Sequence, residues 1–185
     1  CLHKAGITLD QIDYIGFTND VKANLHRKIW FVLSHFSPFA WPQFVRQYMK
    51  ARLSKMFSAT DVLVESCGMD PKQIKAKIYR IEHHCAHAAS SFFVSGFNKS
   101  AILTLDGAGD FLTAIMALGE GAKMHVLKRL SWPHSMGILY SGVTQYLGFL
   151  RAVDEGKVMG LAPYGKPAYI DKFRKVISLK KGGFA

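Results

Sequence analysis

Residues 83–110 read HHCAHAASSFFVSGFNKSAILTLDGAGD, and this stretch contains the two adjacent elements that indicate the fold. HHCAHAASSFFVSGF is typical of a helix that ends near Gly96, because glycine readily takes the left-handed conformation found after helix ends. SAILTLDG is typical of an apolar strand that runs into a glycine turn. Helices mixed with buried strands are typical of an α/β protein, which is the fold class that we expect.

The segments on either side extend this pattern. Before the stretch, the sequence predicts a helix over LDQI capped by Thr8, a buried strand YIGFT, a helix TDVLVESCG and a strand AKIYRIE. After it, we expect two strands in FLTAIMALGEGAKMHVLKRL, joined by a turn at residues 119–121, and a helix in MGILYSGVTQYLGF. KVMGLAPYG is interpreted as a glycine-punctuated loop, and PAYIDKFRKVI as a helix with proline at its first position.

Residues 21–57 differ from the rest because they mix aromatic and basic side chains at roughly helical spacing, in VKANLHRKIWFVL and WPQFVRQYMKARLSKMF. We interpret them as a basic helical insert whose two amphipathic helices pack on the body of the protein. Two alternatives stay open, a surface for a partner or membrane and a nucleic-acid surface. The whole chain has 24 Lys and Arg against 13 Asp and Glu, a formal charge of +11, which favours anionic partners.

Composition limits the class of protein. The 185 residues suffice for one domain with a core. Three cysteines without a CxxC pair do not make a disulfide framework, so we expect a reducing, cytoplasmic location. No apolar run approaches the about 20 residues that a membrane-spanning helix needs. The chain starts at Cys1 in the middle of a pattern and ends in KKGGFA, so we expect a single partial domain over residues 1–185.

His83 and His87 are the first candidate ligands. They are four residues apart on the predicted helix, so their side chains share one face about 5–6 Å apart at Cβ. Such a pair can hold one metal ion, as in HExxH zinc sites but without the glutamate base. The alternative is that both histidines are ordinary solvated or capping residues.

LTLDGAGD brings a carboxylate and glycines to the end of a strand. Asp106 could hold a hydrated cation, and Gly107 and Gly109 would let backbone amides approach a phosphate. The alternative, with equal local support, is a plain β-hairpin, since Asp-Gly is also a strong turn signal.

Two later segments could also bind phosphate. In SWPHSMGILYSGVTQYLGF, Ser135 or His134 precedes a helix with Gly137 in its first turn, where free amides favour an anion. An ordinary N-cap is the simpler explanation of this pattern. DEGKVMGLAPYGKP offers Lys157 and Lys166 but lacks the GxxxxGK[ST] order of a P-loop.

In this order, HHCAHAASSFFVSGF, LTLDGAGD, PHSMGILYSGVTQYLGF and EGKVMGLAPYG resemble the O-carbamoyltransferase family of the NodU and antibiotic-carbamoyltransferase type. The resemblance is strong over about residues 78–170 and loose over residues 1–77. It implies a ribonuclease-H-like core of the actin-like, sugar-kinase-like ATPase kind. It also implies a first strand before Cys1, a further metal aspartate after Ala185 and a second, YrdC-like domain, so we expect this chain alone to be inactive.

The resemblance further implies an activity and a site. Such enzymes use carbamoyl phosphate and ATP to make a carbamoyladenylate and carry the carbamoyl group to a hydroxyl of a small-molecule acceptor. A divalent metal, with iron implied, would sit on His83, His87 and Asp106. The nucleotide or acyl phosphate would face a second set of residues: Gly107, Gly109, Asp110, Gly137, Lys157 and Gly160.

Two other functions stay open beside this one. A sugar kinase or ATPase of the same superfold would transfer phosphate without carbamoyl phosphate and would not need His83 or His87. A non-catalytic basic module would bind polyanions through residues 21–57, with an affinity that falls steeply with salt. We do not expect nucleic acid as a partner, and a homodimer stays open.

Overall fold

The computed structural model describes residues 2–20, 22–35, 74–180 and 183–184. The predicted helix TDVLVESCG and the segment WPQFVRQYMKARLSKMF lie outside these residues. The chain forms two compact units, residues 1–86 and residues 87–185. Within the described residues, no helix combines the length and the apolar character needed to cross a bilayer.

The described part of the first unit contains short helices and a pair of parallel strands. Its elements are α1 (Leu2–Ala5), a 3-10 turn (Leu9–Gln11), β1 (Tyr14–Phe17), α2 (Leu25–His35) and β2 (Lys77–Arg80). β1 and β2 run parallel, with Tyr14 opposite Lys77. These elements confirm the strands predicted in YIGFT and AKIYRIE, the helix predicted in VKANLHRKIWFVL and the turn after Thr8.

The prediction that YIGFT is a buried strand is wrong. Tyr14 is 65% exposed, and Ile15 and Phe17 are only half-buried. The reason is that β2, the strand that pairs with β1 in the described part of the chain, is itself exposed along its length. Apolar composition was therefore enough to predict the strand but not its burial.

The second unit is built around a three-stranded antiparallel sheet. Helix α3 (His83–Phe92) contains the boundary between the units, and β3 (Lys99–Gly109), β4 (Leu112–Glu120) and β5 (Lys123–Ser131) follow it. The strand order is β3-β4-β5, as the two consecutive hairpins require. The rest consists of α4 (Met136–Tyr146), α5 (Glu155–Leu161), a 3-10 turn (Ala162–Tyr164), α6 (Ile170–Val176), β6 (Leu179–Lys180) and β7 (Gly183–Phe184).

The core of this unit lies along the central strand β4. Leu112, Ala114 and Ile115 of β4 are fully buried. Phe92, near the end of α3, is 3% exposed and packs against Gly119 of β4. A Cβ at Gly119 would lie 2.6 Å from the Phe92 ring, so the missing side chain lets the helix end reach the sheet.

The described chain is therefore mixed α/β, as the sequence predicts. Two helices end earlier in the chain than the sequence predicts. α3 ends at Phe92, after which Gly96 takes a φ of 76°, and α4 ends at Tyr146, followed by Gly148 with a φ of 87°. In both cases the glycine marks the left-handed turn beyond the helix rather than its last residue.

Two predictions near the end of the chain are wrong. KVMGLAPYG is not a loop, because helix α5 starts at Glu155 and the 3-10 turn Ala162–Tyr164 follows it. Two glycines cost roughly 1 kcal/mol each in a helix, so helix formation here depends on contacts outside the segment. Helix α6 begins at Ile170 and not at Pro167, because a turn closed by the Ala168 amide on the Lys166 carbonyl at 2.8 Å comes first.

Candidate metal site

Helix α3 places two histidines on one face. It begins directly at His83, and the residue before it, Glu82, caps it with both carboxylate oxygens. Oε1 accepts from the His84 amide and Oε2 from the Cys85 amide, each at 3.0 Å. A negative charge at a helix start also matches the helix dipole. Because the helix is regular from its first residue, His87 lies one turn after His83 on the same side.

Asp106 reaches this face from an irregular point in β3. The β3–β4 register changes between Leu105 and Gly109, so Asp106 lies in a bulge. Bulges bend a strand and redirect its side chains. Here Asp106 Oδ2 lies 3.5 Å from His87 Nε2, while Oδ1 accepts from the Gly107 amide at 2.6 Å. The second contact holds the carboxylate so that one oxygen faces the histidine.

The donor atoms fit a divalent transition metal. His83, His87 and Asp106 each offer one ligand atom, and these atoms lie within 4.8 Å of one another. Protein nitrogen and oxygen ligands sit about 2.0–2.2 Å from zinc-like ions, which puts two ligands of a tetrahedral site about 3.4 Å apart. The His87–Asp106 distance of 3.5 Å already has this value. Both side chains are accessible, His87 at 52% and Asp106 at 40% exposed, so an ion could enter from solvent.

The start of helix α4 supports the backbone of the bulge. The Ser135 hydroxyl donates to the Gly107 carbonyl at 2.6 Å, lies 3.0 Å from the Asp106 carbonyl, and accepts from the Ile138 amide at 3.0 Å. Ser135 is thus the N-cap of α4 and also ties that helix to the bulge. Gly137 lies directly against the same peptide, because a Cβ there would be 2.5 Å from the Gly107 nitrogen and 2.7 Å from the Asp106 oxygen.

The loop before α4 is fixed by a second contact. The Thr113 hydroxyl of β4 donates to the His134 carbonyl at 2.6 Å, and Thr113 is 1% exposed. The Trp132 amide donates to the Phe111 carbonyl at 3.0 Å. The position of α4, and with it the support behind Asp106, is therefore set by the buried central strand.

The other predicted site residues lie in different settings. Gly107 lies in the bulge and Gly109 at the end of β3, whereas Asp110 begins the hairpin turn with a φ of 48° and is 4% exposed. DGAGD is thus a β-hairpin, and its bulge also presents Asp106 to His87, so the two interpretations of this segment are compatible. Lys157 and Gly160 lie in α5.

Lys157 has a structural partner at the start of α5. Its Nζ lies 2.7 Å from Asp154 Oδ1, and Asp154 Oδ2 accepts from the Leu150 amide at 3.0 Å. The hydrogen bond from Lys157, followed by that from Leu150, lowers the pKa of Asp154 below its ordinary value. The structure therefore shows Lys157 in the contacts that hold the loop before α5.

Glu155 completes the same loop. Its Oε1 accepts from the Ser141 hydroxyl at 2.5 Å and from the Ala152 amide at 2.7 Å, and these two bonds, Ser141 first, lower the pKa of Glu155. Ala152 takes a φ of 63°, a conformation that this pair of contacts helps to hold. These bonds are the outside contacts that explain why a glycine-rich segment is helical.

Sequence reasoning missed two residues that shape the site. Glu82 was assigned to the strand AKIYRIE, although a carboxylate directly before a helical pattern is also a signal for a helix start. Ser135 was recognised as an N-cap candidate, but its contact with the Asp106 and Gly107 carbonyls joins segments 28 and 29 residues apart. No local pattern reports such a contact.

Comparison with known proteins identifies the family. The model of the family described as carbamoyltransferase N-terminus matches residues 1–184. The chain belongs to this family. The match starts at residue 1, so residues 1–77, where the motifs resembled the family only loosely, are part of the family region as well.

Individual relatives agree with this assignment. Nodulation protein NolNO of Sinorhizobium fredii is 35% identical over 184 residues, which is 99% of this chain and 25% of the relative. Nodulation protein NolO of Bradyrhizobium diazoefficiens is 40% identical over 109 residues, 56% of this chain and 19% of that protein. An uncharacterized protein of Synechocystis sp. is 36% identical over 174 residues, 92% of this chain and 28% of its own length. The chain thus spans about a quarter of the length of these relatives.

Proposed function

We propose that this chain is the metal-binding part of an enzyme that transfers a carbamoyl group from carbamoyl phosphate to a hydroxyl of a small-molecule acceptor, through an ATP-derived carbamoyladenylate. Membership of the carbamoyltransferase N-terminal family supports the transferase class. The observation that carries the proposal for this chain is the approach of His83, His87 and Asp106 to one another. We further propose that the fold is the ribonuclease-H-like, actin-like ATPase core, with which the antiparallel sheet β3-β4-β5 and the parallel pair β1–β2 are compatible.

The types of ligand limit which metal ions suit the site. Two imidazoles and one carboxylate suit iron(II), zinc or manganese and are unlike the all-oxygen sets that calcium and magnesium prefer. We propose iron(II) as the resident ion, together with ATP as the second cofactor. When bound, the ion would supply positive charge to phosphate oxygens at this site.

The residues around the ligands have positioning roles in this proposal. The Gly107 amide holds one Asp106 oxygen, so the other stays directed at His87. Hydrogen bonds of this kind to ligand side chains orient the ligands and raise metal affinity. Ser135 and Gly137 hold the peptide that carries Asp106, and Gly107, Gly109, Asp110 and the start of α4 form the side on which we place the acyl phosphate or nucleotide. Lys157 and Gly160 belong to the same proposal only if Lys157 leaves Asp154 when phosphate binds.

The carbamoyl transfer itself is a simple displacement. The acceptor hydroxyl oxygen attacks the carbamoyl carbon, the bond from that carbon to the AMP phosphate oxygen breaks, AMP leaves, and the hydroxyl proton passes to water. A full-length carbamoyltransferase that carries this chain should therefore form AMP and a carbamoylated product only when carbamoyl phosphate is present.

The test compares three versions of that full-length enzyme: the parent, His83→Ala/His87→Ala, and the control His125→Ala, which removes an exposed histidine of β5. We expect carbamoyl-phosphate-dependent AMP formation in the parent and the control, and a loss of at least about tenfold in the double variant. Phosphate transfer that needs no carbamoyl phosphate and survives the double variant would instead identify a sugar kinase or ATPase. Salt-sensitive binding to polyanions without any turnover would identify a binding module.

A further inference from the structure

The last part of the second unit exposes an unusual amount of apolar surface. Helices α5 and α6 and the 3-10 turn between them contain no buried residue. Several large side chains in residues 146–179 are almost free in solvent, among them Tyr146, Tyr164 and Leu179, each at least 88% exposed. Contiguous apolar surface left in water is unfavourable, and exposed apolar patches on proteins mark interaction sites.

A groove lies at the end of this region, between Met136 and residues 166–179. It encloses about 570 Å³ and is lined mainly by carbon atoms, with Met136 of α4, Ile170 and Phe173 of α6, and Leu179 of β6 among its walls. Lys166 and Arg174 also line it. A groove of this size can take one or two apolar side chains of a partner, and such filled pockets carry most of the binding energy of an interface.

The charge around the groove argues against a second copy of this chain as the partner. Residues 166–180, which hold the groove walls other than Met136, contain five Lys and Arg and one Asp, so this stretch has a net charge of 5 − 1, or +4. Two such faces would bring like charges together, which costs affinity, whereas carboxylates at the edge of the partner would pair with them. The groove therefore fits an apolar segment flanked by acidic residues.

The relatives show where such a segment could come from. This chain covers 25% of NolNO and 28% of the Synechocystis protein, so most of a polypeptide of that length lies outside these residues. We propose that the face formed by Met136 and residues 166–179 is a docking surface for that remaining polypeptide, and that an apolar, acid-flanked segment of it fills the groove. The proposal rests on family membership and not on the carbamoyl chemistry, so it can fail or hold independently of the proposed function.

Docking at this face has a consequence for the candidate metal site. Met136, which lines the groove, lies between Ser135 and Gly137, the two residues that contact the Asp106–Gly107 peptide. A partner in the groove would thus pack on the helix start that supports Asp106. This contact gives the docking surface a direct structural link to the bulge.

The test measures thiol accessibility at the groove. Leu179→Cys places a thiol in its wall, and Leu127→Cys is the control, because Leu127 is 71% exposed on β5 among charged neighbours. Each variant is made in the 185-residue chain and in a chimera in which the chain replaces the matching region of Sinorhizobium fredii NolNO. Maleimide labelling is followed site by site by mass spectrometry.

We expect both thiols to label rapidly in the 185-residue chain, and the thiol at position 179 to label about tenfold or more slowly in the chimera while position 127 changes little. Equal labelling at position 179 in the two proteins would overturn the proposal. Equal protection of both positions would also overturn it, because the protection would not be specific to the groove. Protection at position 179 in the chain alone that rises with chain concentration would assign the face to a second copy.

A second variant, with thermal stability as its readout, tests the proposal independently of thiol labelling in case the cysteine chimera folds poorly. Leu179→Asp should leave the thermal midpoint of the 185-residue chain within about 2 °C of the parent, because the replaced side chain is 88% exposed there. In the chimera the same change should lower the midpoint by several degrees, since it would place a charge in a filled groove. Similar midpoints for the parent and variant chimeras would contradict docking.

Discussion

Gly137→Ala should separate the helix α4 from the strand that carries Asp106. A Cβ at position 137 would lie 2.5 Å from the Gly107 nitrogen, 2.6 Å from the Asp106 carbonyl carbon and 2.7 Å from its oxygen. Contacts between such atoms are comfortable only at about 3.5 Å, so the two backbones must separate by about 1 Å. Since all three atoms are backbone, none can rotate away. Overpacking of this kind costs about 1–3 kcal/mol.

Gly142→Ala in the same helix is the matched control. A Cβ there would meet no atom within 4 Å, so the change should stabilise the helix by about 0.5–1 kcal/mol. Both variants gain a similar amount of stability from helix propensity. The difference between their free energies of unfolding therefore isolates the steric cost of about 1–3 kcal/mol at position 137. For a chain of this size that is about 2–12 °C in thermal midpoint, with Gly137→Ala the lower, as measured by circular dichroism. Equal midpoints would refute the close approach of α4 to the bulge.

Three further predictions concern the contacts that shape the site. Ser135→Ala should cost about 1–2 kcal/mol in a denaturant titration, because it removes a helix cap and the bond to the bulge, whereas Ser90→Ala on the exposed face of α3 should stay within about 0.5 kcal/mol; equal effects would contradict the role of Ser135. Glu82→Ala should cost about 1 kcal/mol and increase amide hydrogen exchange in the first turn of α3, and an unchanged exchange rate there would count against the cap. Because the pKa of Asp154 is lowered in the folded state, the unfolded chain binds its proton first as pH falls, and the stabilisation is present above about pH 4 and lost below it. Asp154→Asn should thus lower the thermal midpoint at pH 7 and have a smaller effect near pH 3, and a pH-independent effect would exclude the ionic contact with Lys157.

The sequence predicted the elements with a clear local pattern. The two strands β4 and β5 joined by a turn, the helix after Ser135 and the four-residue spacing of His83 and His87 all appear in the structure. Each of these features depends on hydrophobic period, capping or turn chemistry, which are properties of neighbouring residues. The proximity of Asp106 to His87 followed from the family resemblance, since the residues between them do not report it.

The features that the sequence did not predict depend on long-range contacts. Helix α5 forms because Asp154 and Glu155 hold the preceding loop, and one of those bonds comes from Ser141, 14 residues earlier. The exposure of β1 depends on which residues pack against it, and the composition of the strand does not predict those contacts. Gly137 was interpreted as a possible anion contact, whereas the structure shows that its missing side chain also lets α4 lie against β3.

The direct test of the central claim is metal binding by the 185-residue chain. Isothermal titration with zinc(II), and with iron(II) under anaerobic conditions, compares the parent with His83→Ala/His87→Ala and with the control His125→Ala/His134→Ala. We expect one ion per chain in the parent and the control. In the His83→Ala/His87→Ala variant we expect metal affinity to fall by more than about 10- to 100-fold, which is the usual effect of removing a residue that only hydrogen-bonds to a metal ligand. Equal binding by all three proteins, or no binding by the parent, would contradict a metal site formed by His83, His87 and Asp106.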